Sequence, residues 1–406
     1  MHHNNNEDKH DDGYNFIEET IKPTSTKRTV FNYILKMSVS GIAFGMCACL
    51  AFYVFSPWLS EVFKRGRNDI VIEQDESISD DSIKYGENYD TEKFIETFND
   101  IHNVANEAAS SILSIKPYSY DETKAKLSFD SVAGVIIAED EREYYVLSLG
   151  NVCDEAEFWR ANIRNNRDCN IGLIARDKNT GLAIFRIIKE GLEPEVANSL
   201  KVTKLGNSNM ISPGSISIAV GDIFGKHGGT DYGIIESNDR KELIPDIHYS
   251  IFSVDMFPVA SGGGFLFNVY GELTGIFLPE HNSKGEVKAV GISELKPVIE
   301  LLANDQKVPY IGIFTDTISE TVSDEKDIPY GVYVLQVQRD SPAMEAGITN
   351  GDIITSIGDT EIKTVQDYEQ KLLELKPGET VRINAKRKGV EGYVDMTFQL
   401  LIKTKE

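Results

Sequence analysis

The sequence predicts a mainly β protein with one apolar helix near its N-terminus. Between residues 112 and 292, short apolar runs alternate with Gly, Asn, Asp and Pro turns, and helical periodicity is weak. After Lys307, a smaller unit combines strand-like runs, GVYVLQVQ and ETVRINAKRK, with a helical pattern at 365–375. Many short strands at such spacing are typical of an all-β barrel or sandwich. Residues 37–58 differ from both units because they form one uncharged stretch.

Length and charge limit the function classes. The chain has 406 residues, which suggests two to three domains. Its formal net charge is −23, which argues against a protein that binds nucleic acid through phosphate contacts. Four cysteines without a CxxC pair exclude a disulfide-built scaffold. Since the sequence contains no metal-ligand spacing, phosphate-binding loop or carboxylate pair, we expect no cofactor and no metal.

The uncharged stretch at 37–58, MSVSGIAFGMCACLAFYVFSPW, predicts a single transmembrane helix. A helix of this length spans a hydrocarbon core of about 30 Å. It is longer than the apolar region of a cleaved signal peptide, and a polar tail at 1–36, expected to be disordered, precedes it. Flanking Lys and Arg residues number four before it and three after it. This bias weakly favours an N-terminus on the inside of the membrane.

An acidic linker is expected at 59–92. Nine acidic residues and one lysine lie between Asn68 and Glu92, so the segment repels itself and is expected to hold the next domain away from the bilayer. Apolar residues then recur at helical spacing from Phe94 to Ala108, which predicts an amphipathic helix at the start of the folded domain, residues 93–305.

Six apolar segments supply the expected strands of this domain. A helix predicted from Leu295 to Leu302 closes it, and a second folded domain covers residues 308–406. The six segments are, in chain order, VAGVIIAED, EYYVLSL, CNIGLIARD, LAIFRII, GSISIAVGD and GGFLFNVYGELTGIFL.

Between Asn99 and Lys403 the sequence resembles the HtrA/Deg family of bacterial trypsin-like serine proteases. The resemblance implies a trypsin-like double β-barrel at 93–305 and a C-terminal PDZ domain, an α+β fold, at 308–406. It also implies a bacterial single-pass membrane protein with a cytoplasmic N-terminus and extracytoplasmic folded domains. The matching segments are AGVIIAED (133–140), KLGNSNMISPGSISIAVGDIFG (204–225), NVYGELTGIF (268–277), YIGI (310–313) and SPAMEAGITNGDIITSIGDTEIKT (341–364).

Two positions of the family's Ser-His-Asp triad are replaced. The family's His lies in a pattern similar to ILTNxHVV, which matches VLSLGNV at 146–152 and places Asn151 at the His position. An amide does not titrate near neutral pH and cannot act as a general base. The family's Asp lies in a pattern similar to TDLAVLKI, which matches TGLAIFRI at 180–187 and places Gly181 at the Asp position.

The serine position has two alignments. Counting back without gaps from NVYGE at 268–272 places Gly262 at the nucleophile and Ala260 at the Gly that helps to form the oxyanion hole. A one-residue insertion within 262–265 would place Ser261 there instead. Val259 would then lie two residues earlier, where the family has Gly for backbone freedom.

A relocated base would restore catalysis. However, no histidine lies between residues 103 and 226, where a trypsin-like barrel supplies its base; His102 precedes the barrel, and His227 and His248 follow in its second half. Loss of one triad member costs a factor of about 10⁴ to 10⁶ in turnover. We therefore expect a pseudoprotease without catalytic residues. The alternative is an active serine endopeptidase that uses Ser261 with a non-standard base.

Cys153 and Cys169 are the cysteines of the barrel domain. In an extracytoplasmic domain they would pair across a loop of about 15 residues, and the equal alternative is two buried thiols.

The activity that remains is peptide recognition. In PDZ domains a peptide adds as a strand to a sheet edge, and a short loop of backbone N–H groups holds its C-terminal carboxylate. The resemblance places this loop at 310–313 and the side-chain pocket beside it, although a domain of this size also needs such residues in its core. The predicted peptide-binding residues are Tyr310, Ile311, Gly312, Ile313, Phe314, Val365, Tyr368 and Leu372.

The expected function is accordingly that of a regulator, adaptor or quality-control protein. Its expected partners are peptide or protein C-termini through the PDZ domain, the membrane through 37–58, and further copies of itself or a paralogous protease.

Overall fold

The computed structural model describes residues 35–42, 44–48, 50–51, 71, 91–120, 126–163, 167–222, 228–256, 263–278 and 287–405. The chain divides into two units, residues 1–67 and 68–406. In the first, the described residues are helical and exposed. None of the helices formed by the described residues has both the length and the apolar character needed to cross a membrane. Much of the predicted tail, anchor and linker lies outside these residues, including 1–34, 52–58 and 72–90.

The second unit opens with helix α1 (Thr91–Ala109), followed by a first barrel. Its sheet has the strand order β2-β1-β3-β4-β7-β6-β5, and a further pairing of β1 with β5 closes it. Strand β3 is buried from Val132 to Ile137, in keeping with its continuous apolar run. The strands are β1 (Ile112–Tyr120), β2 (Lys126–Ser128), β3 (Val132–Glu139), β4 (Glu143–Leu149), β5 (Phe158–Ile163), β6 (Arg167–Asp177) and β7 (Leu182–Ile188).

A short helix, α2 (Pro194–Ala197), leads to a second closed barrel with the order β10-β13-β12-β11-β8-β9. Helix α3 (Lys296–Ala303) follows it. Compared with the prediction of Leu295 to Leu302, it begins and ends one residue later. The strands are β8 (Ile216–Gly221), β9 (Gly229–Ile244), β10 (Ile247–Val254), β11 (Gly264–Phe267), β12 (Leu273–Phe277) and β13 (Val287–Gly291).

The C-terminal domain has its own hydrophobic core. Its sheet has the order β14-β15-β16-β18-β19, with β17 paired to β16, so β14 lies at an edge. Helix α6 ends two residues before the predicted Leu375. The strands are β14 (Ile313–Ile318), β15 (Gly331–Val337), β16 (Ile353–Ile357), β17 (Thr360–Glu361), β18 (Thr380–Lys388) and β19 (Tyr393–Leu401). The helices are α4 (Glu320–Lys326), α5 (Pro342–Ala346) and α6 (Val365–Leu373).

The prediction of a mainly β fold with two barrels and a smaller α+β domain is confirmed. The barrels explain why the apolar runs are short and closely spaced. Each barrel is built from several short strands, and turns connect them.

Candidate functional site

The ends of β4 and β7 bring the matched His and Asp positions next to each other. The two strands pair as far as Leu149 and Leu182, and the Gly150 N–H donates to the Gly181 carbonyl oxygen over 2.6 Å. Asn151 follows in a short 3₁₀ turn and is exposed. Gly181 has a φ of 70°, a left-handed conformation that glycine adopts without strain. One position thus offers an amide and the other no side chain at all.

The stretch with the two serine alignments reaches the same region from the second barrel. Gly263, which precedes β11, lies against the end of β4, and a Cβ added to it would be 2.9 Å from Leu149 Cδ1. The structure therefore gathers the flanks of all three matched stretches. The residues predicted for the nucleophile and the oxyanion hole lie outside the described residues, and their roles stay predictions: Val259, Ala260, Ser261 and Gly262.

A buried carboxylate lies four residues before Gly181. The Oδ2 atom of Asp177 accepts the backbone N–H and the hydroxyl of Thr180, at 2.8 and 2.7 Å. This carboxylate therefore closes its own turn.

The described histidines bond to groups outside the three matched stretches. His102 Nδ1 lies 3.1 Å from the Tyr232 hydroxyl oxygen, and the His248 ring contacts the C-terminal domain. His227 and His281 lie outside the described residues. Asn151, at the matched His position, carries an amide, which can form hydrogen bonds but cannot transfer a proton.

In the C-terminal domain, the loop at 310–313 directs three backbone N–H groups at one carboxylate, that of Asp246 in the second barrel. Ile311 and Gly312 donate to Oδ2 over 2.8 and 2.7 Å, and Ile313 donates to Oδ1 over 3.0 Å. The Tyr368 hydroxyl of α6 adds a fourth bond to Oδ1, 2.6 Å long. The loop thus holds a carboxylate, as a PDZ loop is expected to do, but the group belongs to the chain itself.

The environment of this carboxylate is almost closed to water. Asp246 is 2% exposed; burial raises its pKa, and the four hydrogen bonds oppose that shift. Burial and the Asp246 charge raise the pKa of Tyr310 to about 12 and that of Tyr368 well above its ordinary value. Both phenols are therefore protonated at neutral pH, so Tyr368 is a donor.

Comparison with known proteins finds matches to a PDZ domain and to serine proteases. The family model of the PDZ domain matches residues 309–397. A "probable periplasmic serine endoprotease DegP-like" from Marinomonas sp. (strain MWYL1) is 27% identical over 279 residues, which cover 66% of this chain and 56% of the relative. The "serine protease Do-like HtrB" of Bacillus subtilis (strain 168) is 26% identical over 280 residues, 63% of this chain and 59% of the relative. The chain is thus similar to serine proteases of the HtrA/DegP family. It spans about half the length of the curated relatives it matches.

Solved structures of HtrA-type proteases have the same fold as this chain. The "HtrA-type protease AlgW with decapeptide" aligns with a TM-score of 0.52 at 20% identity, over 75% of this chain and 99% of that chain. The serine endoprotease from Yersinia pestis aligns with a TM-score of 0.50 at 23% identity, over 75% and 98% of the two chains. At these identities the similarity establishes the architecture, a trypsin-like domain followed by a PDZ domain.

Most of the predicted peptide-binding side chains are buried, while Phe314 is half-buried. Gly312, with a φ of 86°, forms the turn that aims the three N–H groups at one point. The roles of these residues in peptide binding stay predictions. The buried members are Tyr310, Ile311, Ile313, Val365, Tyr368 and Leu372.

Sequence reasoning missed Asp246. Pro245 and Asp246 separate strands β9 and β10 and resemble an ordinary two-residue turn. The one available signal is the residue type. Asp246 has a φ of 69°, and a turn with Pro first and a positive φ second usually takes Gly or Asn there.

Cys153 and Cys169 are free thiols in the structure. Burial raises the pKa of each to about 11.

Proposed function

We propose that this HtrA-family chain is a membrane-anchored pseudoprotease that binds peptides, acting in protein quality control or as a regulator or adaptor of another protease. The observation that carries the proposal is the pair Asn151 and Gly181, adjacent at the ends of β4 and β7. Triad chemistry needs a base at the first position and a carboxylate at the second to orient that base. Neither group is available from an amide and a glycine.

Peptide binding through the PDZ domain is the function that this arrangement retains. Two lines of support do not depend on the matched triad positions. The loop at 310–313 forms a site that holds a carboxylate through three backbone donors. Related HtrA-type AlgW structures are described with a decapeptide and a tripeptide.

The location we propose is a membrane surface, with residues 37–58 as the anchor and both folded domains on the extracytoplasmic side. The support is the uncharged stretch in the sequence and the description of the relatives as periplasmic endoproteases.

Proteolysis assays test the central claim. We expect no cleavage of casein by the full-length chain, and no labelling by a fluorophosphonate probe, which reacts only with an activated serine. The Bacillus subtilis HtrB relative is the positive control. Cleavage that disappears in Ser261→Ala would instead identify an active serine endopeptidase with a non-standard base.

A further inference from the structure

Asp246 occupies the donors that a bound peptide needs. A C-terminal carboxylate in a PDZ domain is held by successive backbone N–H groups of the loop. Here the three N–H groups of Ile311, Gly312 and Ile313 all point at the Asp246 carboxylate, at 2.7 to 3.0 Å. Two carboxylates cannot share these donors because like charges at such a distance repel strongly. Binding of Asp246 and binding of a peptide terminus therefore exclude each other.

The backbone of this turn also contacts the groove between β14 and α6, where a PDZ domain is expected to bind its peptide. The Asp246 N–H donates to the Ile313 carbonyl oxygen over 2.7 Å. Ile313 begins β14, an edge strand whose known partner is β15 on one side. A peptide that adds to this edge as a strand requires its main-chain groups, and one of them is already in use.

His248 fixes the same hairpin to both walls of the groove. Its Nε2 lies 2.7 Å from the Thr315 carbonyl oxygen on β14, and its Nδ1 lies 2.7 Å from Glu369 Oε1 on α6. Its backbone N–H also donates to Glu369 Oε1 over 2.7 Å. Both ring partners are acceptors, so the two ring bonds exist together only when both nitrogens carry protons. The hairpin therefore contacts both β14 and α6 through one side chain.

The turn itself does not require an aspartate. The β9–β10 connection has two residues between the paired Ile244 and Ile247, and a left-handed φ at its second position is met more easily by Gly or Asn. Burial of an unpaired carboxylate is also costly. What distinguishes Asp at this position is its carboxylate, which fits the four donors of the PDZ domain.

We propose that Asp246 is an internal ligand of the PDZ carboxylate-binding loop, and that a peptide with a free C-terminal carboxylate binds by displacing it. This rests on the proposed peptide-binding function. Because Asp246 is tethered to the same chain, its effective concentration at the loop is high, on the order of millimolar. The PDZ domain can bind a peptide only in molecules whose hairpin is released. Its apparent affinity for the peptide is therefore reduced in proportion to the fraction of molecules in that state. Peptide binding in turn frees the PDZ domain from the second barrel.

Competition is tested with the full-length chain, a fluorescent decapeptide that ends in Val with a free carboxylate, and the amidated form of the same peptide. In Asp246→Asn one acceptor oxygen becomes an NH₂ group facing N–H or O–H donors, and the charge is lost. Charge-assisted bonds are about twice as strong as neutral ones. We expect the peptide Kd, measured by fluorescence anisotropy, to decrease about tenfold or more, with no binding of the amidated peptide.

Two further variants separate this effect from misfolding. His248→Ala lies outside the PDZ domain and removes the ring contacts, so it should tighten peptide binding in the same direction. Glu236→Gln removes an exposed carboxylate from the same hairpin and should leave Kd unchanged. Equal peptide affinity of wild type, Asp246→Asn and His248→Ala would overturn the inference while leaving peptide capture intact.

Hydrogen exchange at the Ile311, Gly312 and Ile313 amides reports occupancy of the loop without any peptide. We expect strong protection in the wild type and in Glu236→Gln, and faster exchange in Asp246→Asn. If no variant binds peptide but Asp246→Asn loses protection, the internal ligand stands and the proposed function fails. Unchanged protection in Asp246→Asn would overturn the internal ligand itself.

Discussion

Gly312 is required at its place in the carboxylate-binding loop for two separable reasons. Its φ of 86° is left-handed, and there is no room for a side chain, since an added Cβ would lie 2.4 Å from Ser341 Cβ and 2.8 Å from the Tyr310 hydroxyl. A side chain here would therefore collide with the domain before it met any ligand.

Gly347 allows the two reasons to be measured apart. It has a φ of 88°, and an added Cβ would meet nothing within 4 Å. We expect Gly347→Ala to cost only the backbone strain, about 1 kcal/mol, and Gly312→Ala to cost about 1 to 3 kcal/mol more because of overpacking. Native-state amide exchange of β16 measures both opening free energies. Equal losses for the two variants would contradict the steric argument.

The thiol groups provide a second prediction at this scale. With a pKa of about 11 at Cys153 and Cys169, the thiolate, which is the reactive form, is a fraction of about one thousandth at pH 8. Because the pKa is raised, alkylation by iodoacetamide should be slow at neutral pH and increase about tenfold per pH unit as pH rises towards 11. Mass spectrometry of the two peptides follows the rate, and the same chain in urea is the control. Rates that match the unfolded chain at pH 8 would be inconsistent with buried thiols.

At the scale of elements, α6 supplies the PDZ-domain side chains that bond to the β9–β10 hairpin. It carries Tyr368 and Glu369, which contact the hairpin of the second barrel. A capping box begins this helix: the Thr364 hydroxyl accepts the Asp367 N–H over 3.1 Å, and the Asp367 carboxylate accepts the Thr364 N–H over 2.8 Å. These bonds satisfy two backbone donors that an uncapped helix leaves free.

Removal of this cap should loosen the helix measurably. We expect Thr364→Ala to lower the free energy of unfolding of the PDZ domain by about 1 kcal/mol, whereas Thr360→Ala, at an exposed position of the neighbouring strand β17, should change it by less than about 0.5 kcal/mol. Amide exchange along α6 checks the pair. A larger effect of Thr360→Ala than of Thr364→Ala would show that the capping box contributes little.

At the scale of the whole molecule, the PDZ domain has a core of its own and also contacts the second barrel through the β9–β10 hairpin. Asn179 of the first barrel adds a bond to the Pro245 carbonyl oxygen, 2.6 Å long, so the loop before β7 supports the same turn. Lys405 also donates to the Asn179 side chain over 3.2 Å, so the turn and its neighbour Asn179 connect the C-terminal domain to both barrels.

The predicted membrane topology is tested at this scale too. We expect added protease to degrade both folded domains in spheroplasts while residues 1–36 stay protected, because the uncharged stretch at 37–58 and the Lys/Arg bias favour an inside N-terminus. An epitope tag at each end reports the fate of the two sides, and detergent lysis is the control for protection. Survival of the C-terminal tag in sealed spheroplasts would reverse the topology.

The sequence by itself determined the mainly β class, and it predicted the two folded domains and the replaced triad positions. These follow from local patterns: turn residues between apolar runs, and motifs such as YIGI and VLSLGNV, whose meaning does not depend on distant residues. The limits of the three predicted helices came within three residues of the observed ones for the same reason, since apolar periodicity is a local signal.

Only the tertiary structure decided what occupies the carboxylate-binding loop. Asp246 lies 65 to 67 residues before its three N–H partners and 122 residues before Tyr368. In the sequence it is one acidic residue in a two-residue turn. Its role appears only when the second barrel and the PDZ domain pack together, because a contact between distant segments depends on where the fold places the hairpin, which no local pattern around Asp246 specifies.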